Sequence, residues 1–172
     1  LEVVERMAAN GSVIAPLNEA SLDAAIDALQ AAGVKAIAVC LLNSYANPAH
    51  ERAIAQALAH CWPAAHVSVS VDVLPEFREY ERLSSTVVNA YLMPVTREYF
   101  RAFETEIKEI GCPEAPFIMN SGGGIMTPQQ AGERPIDTLF SGPSGGVSGA
   151  IYVSARGGHS NIITFDMGGT ST

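Results

Sequence analysis

Apolar residues recur along this chain with two alternating periods, and each change of period marks a predicted element. Over residues 21–32, Leu22, Ile26 and Leu29 fall on one face of an amphipathic helix that Gly33 stops. Residues 34–42 form a near-continuous apolar run, the pattern of a strand covered on both faces. A second helix is predicted over residues 48–61 and a second strand over 67–73. A long helical region follows, roughly residues 79–110, in which Val88, Leu92, Val95, Tyr99, Phe103, Ile107 and Ile110 keep helical spacing. That stripe is expected to face a core, and Pro94 is expected to kink or break the helix. Gly111-Cys112-Pro113 ends it. Residues 116–119 read as a short apolar run entering glycines, 128–131 as a short helix and 136–140 as a strand. A helix over 141–155 and a buried strand over 161–165, bounded upstream by Gly157-Gly158, complete the pattern. The alternation predicts an α/β protein, two α/β units joined by a long helix, with a boundary near residues 74–84.

Composition narrows the class. A length of 172 residues with 48% hydrophobic residues suffices for a sizeable core. No run of about 18 apolar residues predicts a membrane span, and the opening Leu1-Glu2-Val3-Val4-Glu5-Arg6 is too charged for a signal peptide. Because the chain starts with Leu and stops inside a motif, both ends read as cuts. The net charge of −8, without a basic stripe, argues against nucleic acid or an anionic membrane as partner. Cys40, Cys61 and Cys112 form no Cys-x-x-Cys, and His50, His60, His66 and His159 have no metal-ligand spacing. A reduced, cytoplasmic setting is expected, with Cys40 in the core and His50 at the surface or capping a helix.

Three glycine clusters carry the candidate chemistry. Asn120-Ser121-Gly122-Gly123-Gly124 follows a strand, as loops at the carboxyl edge of an α/β sheet do. Ser141-Gly142-Pro143-Ser144-Gly145-Gly146-Val147 opens a helix, with Ser141 as the predicted N-cap and Pro143 in the first turn. Glycines at that density suit a helix that lies very close to another helix, a strand or a ligand. The last cluster, Asp166-Met167-Gly168-Gly169-Thr170-Ser171-Thr172, follows the predicted strand over 161–165. Glycines there let the backbone approach a phosphate, hydroxyls add donors, and the carboxylate can hold Mg²⁺. Neither a Walker loop nor a G-x-G-x-x-G opening a helix after a first strand is present.

These motifs, in this order, resemble the hydantoinase A/5-oxoprolinase family, which includes ATP-dependent N-methylhydantoinases and subunits of acetone and acetophenone carboxylases. The stretch over residues 36–51, with Leu42-Asn43-Ser44-Tyr45-Ala46-Asn47-Pro48, looks like the same family, as does Leu74-Pro75-Glu76-Phe77-Arg78-Glu79-Tyr80-Glu81-Arg82. The resemblance implies the actin-like ATPase fold: ribonuclease-H-like lobes, each with a mixed sheet and flanking helices, closing over ATP. Residues 1–74 would end an N-terminal hydantoinase/oxoprolinase domain, and 75–172 would begin the hydantoinase A domain with its interlobe helix and second phosphate loop. By the same resemblance Asp166 is the catalytic and Mg²⁺-binding residue. Gly168, Gly169, Thr170, Ser171, Thr172, Ser141, Gly142, Gly122 and Gly123 would grip the nucleotide. The implied reaction is ring opening of a hydantoin or 5-oxoproline, with ATP phosphorylating the amide oxygen and water attacking the carbonyl carbon. A ketone carboxylated with bicarbonate is the rival substrate class, and a non-catalytic actin-like binding module is the rival role. A hydantoinase B-like partner subunit or a homo-oligomer is compatible with either. With one phosphate loop where that fold needs two, the chain by itself is expected to be inactive.

Two positions depart from the family pattern. Gly122 stands where Asn is common, and Ser144-Gly145-Gly146 where Ala-Ala-Gly is common. The charged run over residues 76–82 has two readings, a solvated and mutually paired face or the lining of a substrate cleft.

Overall fold

The computed structural model describes residues 1–167. The chain divides into two compact units, Leu1–Pro94 and the residues from Val95 onward.

The first unit opens with a hairpin, β1 (Arg6–Met7) and β2 (Val13–Ala15). Its turn carries Asn10-Gly11, with Gly11 at φ +82 and the Asn10 side chain accepting from Ser12 N at 3.0 Å. The turn signal was in the sequence, but no hairpin was expected there. Helix α1 (Glu19–Ala31) starts where Asn18 Oδ1 accepts from Ser21 N at 2.8 Å, and it stops at Gly33, φ +66. Strand β3 (Ala36–Val39), helix α2 (Ala49–Cys61) and strand β4 (His66–Val69) form a βαβ unit with parallel pairing from Ala36↔His66 to Val39↔Val69. Leu22 and Ile26 of α1, Ile37 and Val39 of β3, and Ile54 and Leu58 of α2 make its core. Each such side chain, fully buried, contributes about 1.5–3 kcal/mol.

At the carboxyl ends of β3 and β4 lies a buried polar hub. Glu51, in the first turn of α2, accepts from Leu41 N at 2.7 Å just past β3. It also accepts from Ser70 Oγ at 2.6 Å and Val71 N at 3.1 Å, just past β4. These bonds explain why the strand expected over 67–73 ends at Val69. The backbone turns there into the single helical turn α3 (Ser70–Val73). Arg82 completes the hub: its guanidinium donates to Ser44 Oγ, to Ser70 Oγ at 2.9 Å and to Leu41 O at 2.8 Å, 3.8 Å from Glu51 Oε1. Both Arg82 and Glu51 are 0% exposed. Of the charged run, Arg78 and Glu81 pair at the surface as the solvated reading expects, whereas Arg82 belongs to the interior. His50 is likewise neither surface nor cap; it is buried, with Nδ1 2.6 Å from Glu5 Oε2. Asn43, at φ +58, donates to Met7 O at 2.9 Å, and Asn47 to Gly11 O at 2.8 Å, so this loop also holds the hairpin. Cys40 is half-buried beside the hub. Burial pushes its thiol pKa up, with Arg82 and a hydrogen bond to Ser70 pulling the other way, which favours the protonated thiol.

Helix α4 (Glu79–Glu109) begins in the first unit and continues through Pro94 without interruption, so the break expected there does not occur. Its buried residues include Arg82, Thr86, Asn89, Ala90 and Met93, while of the expected core stripe Leu92, Phe103 and Ile107 are half-buried and Val88, Val95, Tyr99 and Ile110 exposed. The periodicity was real, but the inward face is the more polar one, because Arg82 must reach Glu51.

The second unit adds a hairpin, β5 (Ile118–Met119) with β6 (Ile125–Met126), and helix α5 (Pro128–Glu133). A capping box between Thr127 and Gln130 starts α5. The strand expected over 136–140 is a 3₁₀ turn (Pro135–Thr138), fixed by Asp137 N donating to Arg134 O at 3.0 Å and by the Arg134–Asp137 ion pair at 2.8 Å. Helix α6 (Ser141–Arg156) matches expectation to within a residue. The strand expected over 161–165 is absent: these residues have no regular structure and are exposed, Ile163 by 99%. A strand needs a hydrogen-bonded neighbour, and none of the described strands pairs with it. Instead of one mixed sheet, the described residues form three two-stranded sheets. No helix among them is long and apolar enough to cross a membrane.

Candidate functional site

The β5–β6 turn is built by Asn120. Its Oδ1 accepts from Gly122 N and Gly124 N, both at 2.9 Å, so the glycine run closes on one side chain. Gly123 has φ +83, a conformation that favours glycine, and a Cβ there would lie 2.9 Å from Ser148 Oγ, which would have to rotate away. Ser121 joins this turn to α6. Its Oγ donates to Asp137 O at 2.7 Å and accepts from Phe140 N at 3.0 Å, and Ser144 Oγ donates to Ser121 O at 2.9 Å. The Ser144 that departs from the family pattern is therefore in use. Phe140, not Ser141, occupies the N-cap of α6 and has no side-chain cap bond of its own, a correction to the sequence expectation. Ser121 serves that end from the neighbouring hairpin.

Of the first-turn donors, Pro143 has none and Ser144 N donates to Phe140 O at 3.1 Å. Ser141 and Gly142 therefore supply the N–H groups this helix end offers to an anion. Gly142, Gly146 and Gly149 have nothing within 4 Å of where a Cβ would sit. Neither local conformation nor packing asks for glycine there, and alanine would favour the helix by about 1 kcal/mol each. Two of the three, Gly142 and Gly146, line a cleft of about 520 Å³ together with Pro143, Val147 and Ala150 of the same helix and residues 163–166. Asp166 is exposed.

The predicted residues thus fall into three groups. Gly142 and Asp166 both line the cleft, and Ser141 starts the same helix as Gly142. Gly122 and Gly123 sit in the hairpin turn and do not line the cleft. Gly168, Gly169, Thr170, Ser171 and Thr172 lie outside the described residues. Sequence reasoning passed over Asn120, Ser121 and Ser148 as working side chains. The four-residue spacing of Ser144 and Ser148, which puts both on one helix face, was the available signal. Among the described residues no group of three or more His, Cys, Asp or Glu could hold a metal ion. Mg²⁺ sites commonly use one or two carboxylates and retain water.

Comparison with known proteins gives a consistent picture. The sequence profile described as Hydantoinase/oxoprolinase matches residues 82–172, and that of the Hydantoinase/oxoprolinase N-terminal region matches residues 1–61. The caprolactamase subunit alpha of Pseudomonas jessenii is 36% identical over 96% of this chain, which covers 24% of that protein. The crystal structure of the ATP-dependent caprolactamase from the same organism superposes with a TM-score of 0.88 at 34% identity, over 98% of this chain and 24% of that one. The 5-oxoprolinase of Saccharomyces cerevisiae is 34% identical over 93% of this chain and 12% of its own length. The acetone carboxylase beta subunit of Xanthobacter autotrophicus is 33% identical over 98% of this chain and 24% of its own. The chain therefore spans a quarter or less of these relatives.

Proposed function

Because the chain belongs to the hydantoinase/oxoprolinase family, we propose that it works as part of an ATP-dependent enzyme that hydrolyses a cyclic amide. The observation that carries this reading is the cleft whose lining brings together two side-chain-free positions of α6, Gly142 and Gly146, with Pro143, Val147 and Ala150 of the same helix, and Asp166. Room left by two glycines near the N-terminal donors of a helix, in one cleft with a carboxylate, fits a polyphosphate with its Mg²⁺. Bound there, Mg-ATP would supply the phosphoryl group that activates an amide oxygen toward water. Asp166 would hold Mg²⁺ or orient the attacking group. Gly168, Gly169, Thr170, Ser171 and Thr172 would continue as a phosphate loop, in an actin-like fold whose other lobe lies elsewhere in the enzyme. In this reading Ser141 and Gly142 present N–H groups to phosphate oxygens, while Gly122 and Gly123 keep the hairpin tight against α6. Residues 1–74 would close the N-terminal domain and 75–172 would open the hydantoinase A domain. The names of the caprolactamase and acetone carboxylase relatives make them subunits, which supports a partner subunit for this enzyme too. Likeness to the acetone carboxylase subunit also supports a second reading, ketone carboxylation with bicarbonate at the same nucleotide site.

The test is ADP release by a polypeptide carrying this chain at family length, together with its partner subunit and Mg-ATP. Caprolactam, a hydantoin or 5-oxoproline should stimulate release; stimulation by acetone with bicarbonate alone would select the carboxylase. A flat response to all of them would leave only a non-catalytic module. The 172-residue chain alone should show negligible turnover.

Alanine substitutions on α6 separate the ligand role of the glycines from a packing role. Gly146→Ala and Gly149→Ala both place a methyl group in open space, so each should stabilise the chain by up to about 1 kcal/mol in urea unfolding. Only Gly146 lines the cleft, so only Gly146→Ala should weaken nucleotide binding in the longer enzyme. Equal binding by the two variants would remove α6 from the site.

A further inference from the structure

Helix α4 is apolar on its solvent side as well. Its buried residues mix Arg82, Thr86 and Asn89 with Ala90 and Met93, whereas Tyr80, Leu83, Val87 and Tyr91 share another side and are exposed, Tyr80 by 79% and Tyr91 by 78%. The spacing of these four, three or four residues apart, makes one continuous apolar stripe along the solvent face. A helix that is apolar on the side away from its own core is an interior helix of a larger body, and stripes rich in tyrosine and aliphatic residues mark packing surfaces.

We propose that this stripe is covered by apolar residues of the same enzyme outside this chain. The inference rests on the reading that the chain is one part of a family-length enzyme. Two observations select that occupant. The caprolactamase structure matches 98% of this chain, yet this chain accounts for only 24% of it, so a protein of that length has ample further residues to supply a cover. A second copy of the chain is disfavoured because each copy carries a net charge of −8, and like charge opposes self-association.

Nitration of Tyr80 and Tyr91 by tetranitromethane, read by mass spectrometry, tests this on the 172-residue chain and on a polypeptide that continues it to family length. Both tyrosines should react readily in the short chain at every concentration and at least about tenfold more slowly in the long one. Equal rates in the two proteins would overturn the proposal. So would slow nitration of the short chain accompanied by sedimentation as a dimer, which would make a second copy the occupant. Val87→Arg gives an independent reading: it should leave the melting temperature of the short chain unchanged and lower that of the long one by about 4 °C or more. No shift in the long protein would also overturn it. Neither readout uses nucleotide, so protected tyrosines in a protein that releases no ADP would uphold the interface while sinking the enzymatic reading.

Discussion

Arg82→Met should destabilise the chain by about 3–5 kcal/mol, the cost of leaving one member of a buried ion pair without the other. Glu51 would lose its cation while remaining beyond the reach of water, and Ser44, Ser70 and the Leu41 carbonyl would each lose a donor. Glu51 keeps its bonds to Leu41 N, Ser70 and Val71 N, which hold the carboxylate in place and prevent it from turning toward solvent. Urea unfolding of the wild type and variant measures the difference. The double variant Glu51→Gln, Arg82→Met should recover part of the loss, since the buried charge is gone. A single-variant loss below about 1 kcal/mol would show that the hub is ornamental to stability, on the scale of an exposed pair.

Asp166→Asn should lower ADP release by the longer enzyme by at least about a hundredfold, the usual scale for removing one preorganised charge-stabilising group. The same change should leave the fold untouched. Asp166 is exposed and makes no hydrogen bond or ion pair among the described residues, so the isosteric amide removes charge and nothing structural. Surface substitutions of that kind fall within about 0.5 kcal/mol. Unchanged turnover would discard the carboxylate as a participant, and a large loss of stability would mean it has a structural partner instead. The two variants contrast a charge buried in the first unit with one that lies exposed in a cleft of the second.

How far the sequence anticipated these features depended on whether the cause was local. Helices α1, α2, α5 and α6 were legible to within a few residues because each carries its own start or stop, such as Gly33 after α1 or Pro128 opening α5. Strands 136–140 and 161–165 failed because an apolar run cannot announce whether a neighbour exists to pair with it. The facing of α4 failed for a related reason. Periodicity shows that a stripe exists, whereas the side that turns inward was decided by a carboxylate 31 positions away, at Glu51. Charge runs are usually solvated, and nothing within residues 76–82 marks Arg82 as different from Arg78. At the candidate site, the glycines of α6 and Asp166 were legible and share a cleft. The knitting of the hairpin to α6 through Ser121 was hidden, because it joins positions 19 and 23 residues apart.

The grip of Asn43 and Asn47 on the first hairpin has an evolutionary side. Both asparagines hold main-chain carbonyls, those of Met7 and Gly11, which every amino acid possesses. The hairpin's outward residues, Ala9, Ser12, Val13 and Ile14, contribute no side chain to that grip. Mutations there can accumulate without loosening the attachment. Gly11 itself is not so free: at φ +82, with a Cβ there 3.1 Å from Ala46 O, it anchors the turn that the asparagines hold.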